Sequence, residues 1–192
     1  MPSASRLSAE EKAVVLAAFN LTAKRGFAAA TPQALADETG LPLAKVKKIA
    51  DTPESLIPAC VRTIDALTIA ATQSHDPQLP LTDCLFDMMM NRFDALQKYR
   101  EAILIISDEC RHRPSLALAM CRAQLRSMAL LSHHLYGVQC NKDDRITKPI
   151  LLVIYNYVFL KWAQDTSPDL SATMAGLNKI IQTNFVRSVL KA

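Results

Sequence analysis

Residues 31–56 read TPQALADETGLPLAKVKKIADTPESL, and their spacing predicts a short helix, a glycine turn and a second short helix. Thr31 is a natural N-cap, and Pro32 falls at the first helical position, where a missing N–H costs nothing. Leu35 and Ala36 supply the apolar side of the first helix, and Gly40 falls where a left-handed residue is needed to end it. The second helix starts near Pro42 and runs to about Ala50. At about 100° per residue, Leu43, Val46, Ile49 and Ala50 share one side, and Lys45, Lys47 and Lys48 lie on the opposite arc. No acid occurs between Leu41 and Ala50. A helix held by a partner at a tight turn, with lysines outward, is how a helix-turn-helix meets DNA. The same lysines on an ordinary surface helix are a solvated face, and alone they leave both readings open.

Outward from this stretch the chain reads as helix throughout. Ser8 and Glu11 make a capping box for a helix to about Arg25, with Val15, Leu16, Phe19 and Ala23 on one stripe. Gly26 ends it and Phe27 folds back. Thr52 caps the next helix, with Pro53 at its first position, and this helix continues to about Thr72; Pro58 predicts a late start or a mild kink. Residues 73–81, QSHDPQLPL, form the clearest linker. Further helices are expected over Thr82–Gln97, from Tyr99 to about Cys110, from Ser115 to about Tyr136, from Thr147 to about Gln164, and from about Pro168 to Leu190. RHRP at 111–114 and VQCNKDDR at 138–145 separate them.

The bulk composition is less directive. At 192 residues the chain can bury a real core, half of its residues are hydrophobic, and four glycines favour helix. The formal net charge is +4, and residues 1–56 carry seven Lys/Arg against six Asp/Glu. Bulk charge therefore forces no nucleic-acid reading, and any DNA affinity rests on the local lysines. Five cysteines, an odd count without a C-x-x-C, read as reduced, mostly buried thiols in a cytoplasmic protein, with a redox sensor as the lesser alternative. The four histidines show no zinc-like spacing with the cysteines, so neither a metal nor another cofactor is expected. No apolar run approaches the roughly 20 residues of a membrane span, so no stable membrane insertion is expected. The opening MPSASRLS reads as a loose tail rather than a targeting segment. With no Ser-His-Asp set, metal cluster or glycine-rich phosphate loop in view, the chain does not read as an enzyme.

From Val14 to Leu56 the chain resembles the DNA-binding domain of the tetracycline-repressor (TetR) family. VVLAAFNLTAKRGF resembles the family's first helix with its Arg25-Gly26-Phe27 step, and TPQALADETGLPLAKV resembles its helix-turn-helix, without a gap through DTPESL. Where the family usually carries a tyrosine, a histidine and a phenylalanine at the end of the recognition helix, this chain has Lys47, Ile49 and Ala50. Pro53 stands where the family often has a phosphate-gripping lysine. The resemblance implies an all-α, TetR-like fold. A helix-turn-helix domain would span 1–56. A ligand-binding and dimerisation bundle would span 57–192, with a connector helix at about 53–72. The expected DNA-binding residues are Thr31, Gln33, Pro42, Lys45, Lys47 and Lys48, with Thr31 and Gln33 placing backbone N–H groups against a phosphate.

The larger part is rich in methionine and aromatic residues, which suits either an adaptable apolar site or plain helical core. In TetR-like proteins it encloses a ligand cavity, so Phe86, Met89, Met90, Phe93, Tyr155 and Phe159 are the expected pocket for an apolar or amphipathic effector. Arg92, Arg100, His133 and His134 are either polar contacts to that ligand or surface. The family also pairs its last two helices across a two-fold axis, which makes Trp162, Met174, Leu177, Ile181 and Phe185 the expected homodimer interface. The function implied is a ligand-responsive regulator bound to operator DNA. LFDMMMNRFDALQKYREAI and LKWAQDTSPDLSATMAGLNK also resemble the TetR-fold lipid-binding proteins of ubiquinone biosynthesis, chiefly at Trp162, Asp165, Ser167, Asp169 and Met174. That implies the alternative: a lipid- or isoprenoid-binding accessory protein that does not bind DNA.

Overall fold

The computed structural model describes residues 7–72, 79–136, 144–184 and 186. Among them are nine α-helices and no strand: α1 (Ala9–Arg25), α2 (Pro32–Thr39), α3 (Leu43–Ala50), α4 (Pro53–Ala71), α5 (Leu81–Gln97), α6 (Arg100–His112), α7 (Pro114–Tyr136), α8 (Asp144–Gln164) and α9 (Ser171–Ile181). A single 3-10 turn, Phe27–Ala29, joins α1 to α2.

The ends of these helices follow from side chains the sequence places there. The Ser8 hydroxyl accepts the Glu11 N–H at 3.0 Å, and the Thr31 hydroxyl accepts that of Ala34 at 3.2 Å. Thr52 and Ser55 cap α4 reciprocally: the Ser55 N–H donates to the Thr52 hydroxyl at 3.2 Å, and the Thr52 N–H to the Ser55 hydroxyl at 3.0 Å. Gly40 ends α2 at φ 68°, ψ 10°, with its N–H on the Ala36 carbonyl at 2.9 Å. Pro58 lies inside α4 without breaking it.

Two compact units emerge from the packing. The first comprises residues up to Ala66 together with Leu96–Gln124. Its core joins Val14, Val15, Ala18 and Phe19 of α1 to Leu35, Val46, Leu56 and Ile57, and then to Ala102, Ile106 and Leu116. Phe19 stacks on Tyr99 with ring centroids 4.6 Å apart. The helix-turn-helix is therefore cored by α6 and the front of α7, whereas their place in the chain groups them with the second bundle. The second unit comprises Leu67–Ala95 and the residues from Leu125 onward. It is centred on Leu85, Met88, Met89 and Phe93 of α5, on Met128 and Leu131 of α7, and on Trp162 of α8.

Two boundaries differ from expectation. Helix α8 begins at Asp144, a turn ahead of Thr147, and carries Pro149 in its interior. Helix α9 spans Ser171–Ile181, starting later than Pro168; Asn184 and Val186 are helical again, and residues 187–190, where the expected end falls, lie outside the described residues. Its start is delayed by the turn at Asp165–Leu170, and the Thr183 hydroxyl donates to the Ile180 carbonyl just past its end. Phe185, Gly137, Cys140 and residues 73–78 lie outside the described residues.

Candidate nucleic-acid interface

Helix α3 is anchored through Val46, fully buried, and Ala50, with Ile49 half-buried against the same core. That fixes its rotation. Ala44, Lys47 and Lys48, at i, i+3 and i+4, then form its outward stripe, and all three are exposed. Leu43, expected on the inner side, is 37% exposed. It sits at the first helical position, beyond the cluster that holds Val46 and Ala50. Pro42 takes the N-cap position with no side-chain capping bond, and its carbonyl accepts the Lys45 N–H at 2.8 Å.

Lys45 departs from the other two lysines. About 100° around the helix from Ala44, it turns toward α1, and its Nζ lies 2.6 Å from Glu10 Oε1. The adjacent Glu11 receives the Arg62 guanidinium of α4, with Arg62 Nε at 3.0 Å from Glu11 Oε1. The first turn of α1 thus reaches α3 with one acid and α4 with the next. At α2 the expected phosphate contacts are partly committed. The Thr31 hydroxyl holds the Ala34 N–H, Pro32 has no N–H, and the Gln33 amide donates to Asp37 Oδ1 at 2.8 Å. A phosphate at this terminus would meet the Gln33 N–H.

Behind the interface, α4 is tied to the α6–α7 corner. Glu54 accepts the Ser115 hydroxyl at 2.7 Å and lies 3.6 Å from the Arg113 guanidinium. The Ser115 hydrogen bond, aided by a backbone N–H and by Arg113, holds the Glu54 carboxyl below the usual range.

The second unit places the expected pocket residues as follows. Met89 and Phe93 are fully buried, Tyr155 is buried, and Phe86, Met90 and Phe159 are half-buried. Phe93 faces Tyr155 at 5.8 Å and Trp162 at 6.3 Å between centroids, and Phe159 faces Trp162 at 5.3 Å. Buried Arg92 sits over the Tyr155 ring, 5.0 Å from its centre. A hollow of about 520 Å³ opens on α5 and α9, lined by Asp83, Phe86, Asp87, Asp169 and Met174 among others, and Phe86 is the one of the expected six that borders it.

Of the expected dimer residues, Trp162 and Leu177 are fully buried and Ile181 is buried within the single chain. Trp162 is covered by Phe93 of α5 and Phe159, and Leu177 and Ile181 lie in the close α8–α9 hairpin. A Cβ at Gly176 would come 3.2 Å from Lys161 Cγ. Met174 remains exposed. The large apolar residues that α8 does present are Val153, 64% exposed, and Leu160, 59% exposed, seven positions apart on one face with Asn156 between them.

Asp165 explains the acidic turn. Its Oδ2 accepts the Thr173 N–H and hydroxyl, both at 2.7 Å, and its Oδ1 accepts the Ser167 N–H at 3.0 Å and the Ser167 hydroxyl. Leu170, at the N-cap position of α9, has φ 53° and no capping side chain, so Asp165 caps α9 from a distance. Burial pushes the Asp165 carboxyl up, but these four donors outweigh it and hold it well below the usual range. Burial likewise raises the Cys60 thiol to about 12, leaving it protonated and unreactive. Cys110 is raised too, again chiefly by burial. Among the described residues no three His, Cys, Asp or Glu side chains gather as a metal site, and no helix is long and apolar enough to cross a membrane.

No protein-family model matches the chain, and no curated protein matches it. Solved structures do. The chain is similar to the multidrug binding protein EbrR complexed with imidazole, at 19% identity and a TM-score of 0.58, over 95% of each chain. It is similar to a transcriptional regulator from Rhodococcus sp. Rha1, at 17% identity and a TM-score of 0.57, over 90% of this chain and 96% of that one. A TetR-like transcriptional regulator from Rhodococcus sp. RHA1 follows at 14% identity and a TM-score of 0.52, over 88% and 92%. The class is thereby defined: the chain has the all-α TetR fold.

Proposed function

We propose that the protein is a ligand-responsive, DNA-binding transcriptional regulator of the cytoplasm that works as a homodimer. The observation that carries this reading is the placement of Lys47 and Lys48 side by side on the outward stripe of α3, while Val46 and Ala50 lock the helix from behind. Two ammonium groups on a rigid helix suit backbone phosphates, and Ala44 between them and the helix start suits a thymine methyl. The fold supports the reading, as do two structural neighbours whose names are those of transcriptional regulators.

One such helix reads one half-site, so the reading requires a second copy placing its own α3 about 34 Å away. The exposed Val153 and Leu160 on α8, with Met174 on α9, are the proposed interface in place of Trp162, Leu177 and Ile181. The effector is proposed to be apolar or amphipathic and to act by preferring one dimer geometry over another. The structural neighbour EbrR is a multidrug binding protein. The functional division at residues 56 and 57 belongs to this same proposal.

The test is a gel shift with the promoter of the protein's own gene over a salt series. Saturable, sequence-selective binding is expected. Lys47→Ala with Lys48→Ala should weaken it at least about tenfold and flatten the slope of log K against log salt by about 0.9 for each phosphate left without its lysine, with the thermal midpoint unmoved. No DNA binding, together with a lipid retained in native mass spectrometry, would sink the proposal in favour of a lipid- or isoprenoid-binding accessory protein.

A further inference from the structure

The pair between Glu10 and Lys45 joins residues 35 positions apart, across two helices, at 2.6 Å. Both side chains are about half exposed, so the contact is not one the core imposes. Glu10 stands in the first turn of α1, which Ser8 already caps, so the helix end does not depend on Glu10 for its hydrogen bonds. Its neighbour Glu11 engages Arg62 of α4. Helix α3 carries no acid of its own, and the other two lysines on it, Lys47 and Lys48, have no carboxylate within salt-bridge reach among the described residues. Glu10 therefore neutralises one of the three cations of α3 and leaves the other two.

We propose that Glu10 is an internal competitor for the DNA backbone. It occupies Lys45 in the free protein, so that a phosphate must displace a carboxylate before Lys45 can contribute to binding. The proposal rests on the DNA-binding reading above, and it assigns to that surface a residue that sets affinity and salt dependence. An exposed ion pair of this kind is weak, so a phosphate can displace it, and the competition tunes binding rather than abolishing it. Removing the acid does two things at once near the DNA: it frees a cation and deletes an anion. A neutral Glu10 should accordingly make binding tighter and more steeply dependent on salt, as counterion release demands for each further phosphate engaged.

The experiment uses the full chain and a mixed-sequence 30-base-pair duplex, read by fluorescence anisotropy across a salt series. Glu10→Gln should tighten binding about three- to tenfold at the lowest salt and steepen the slope by about 0.9 for each Lys45 released. Adding Lys45→Gln to Glu10→Gln should remove that gain. A gain that survives without Lys45 would mean that Glu10 merely repels phosphate at a distance, and would overturn the competition; so would no gain at all. Amine acylation followed by peptide mass mapping tests the pair without DNA. Lys45 should label at least about twofold faster in Glu10→Gln than in the unaltered chain, relative to Lys47 and Lys48. Equal labelling would also overturn the proposal. Failure of the DNA-binding reading looks different: Lys47→Ala with Lys48→Ala would bind as the unaltered chain does, whatever Glu10 does to the labelling of Lys45.

Discussion

Lys45 and Lys48 are three residues apart on one helix and differ in what stands opposite them. Lys48 meets solvent, whereas Lys45 meets a carboxylate from α1. The helical period shows that both point away from Val46, but it cannot show Glu10, because a partner 35 residues distant is set by how α1 crosses α3. Asp165 teaches the same lesson from the other side. In the fold it is a remote helix cap, set by how the 165–170 turn leads into α9. Replacing it with asparagine turns an acceptor into a donor facing the Thr173 N–H and should cost about 2–4 kcal/mol at neutral pH. The pH dependence has a definite sign. A carboxyl held low in the folded state contributes stability that is complete above the unfolded value of about 4 and is lost as the pH falls below it. Thermal melts should therefore show a wide gap between the unaltered chain and Asp165→Asn at pH 7, and a much narrower one near pH 3.

The helices themselves are largely legible, because their ends are written in capping chemistry: Ser8, Thr31, Gly40 and Thr52 all act where the sequence places them. Where the N-cap residue itself offers no side-chain bond, sequence spacing misleads. Helix α9 begins late because its first N–H groups are met by Ser167, Asp169 and, from six residues ahead of Ser171, Asp165, rather than by Leu170. Leu43 is exposed because amphipathic spacing assumes cover along a whole helix, and the first turn of α3 projects past its core. The turn between α2 and α3 gives an element-scale prediction. Gly40 is left-handed, but nothing lies within 4 Å of where a Cβ would be. Gly40→Ala should thus cost only backbone strain, about 1 kcal/mol, seen as a modest drop in melting temperature with DNA affinity retained at temperatures below the melt. A loss of affinity well before melting would show that the turn also sets the pose of α3.

Across the whole molecule, the all-α architecture can be read from the sequence and the allocation of helices cannot. α6 follows the linker, and chain order alone assigns it to the second bundle. Its Ala102 and Ile106 instead close the core over α1, and Tyr99 just ahead of it stacks on Phe19. The cover that α5 and α9 give the rings of α8 is a tertiary fact that chain order does not show. What α8 does leave outside gives the assembly prediction. Val153→Glu with Leu160→Glu should yield a monomer by sedimentation velocity without lowering the melting temperature of the chain by more than about 2 °C, since neither side chain fills the interior. A dimer that survives both changes would move the interface elsewhere.

The stacking of Phe19 on Tyr99 bears on how such a protein could be re-engineered. Grafting the first 56 residues onto a foreign sensor would strip α1 of the helix that covers it and leave an oily flank in water. A workable chimaera would have to carry 96–124 along with the helix-turn-helix, so the transplantable piece is discontinuous in the gene.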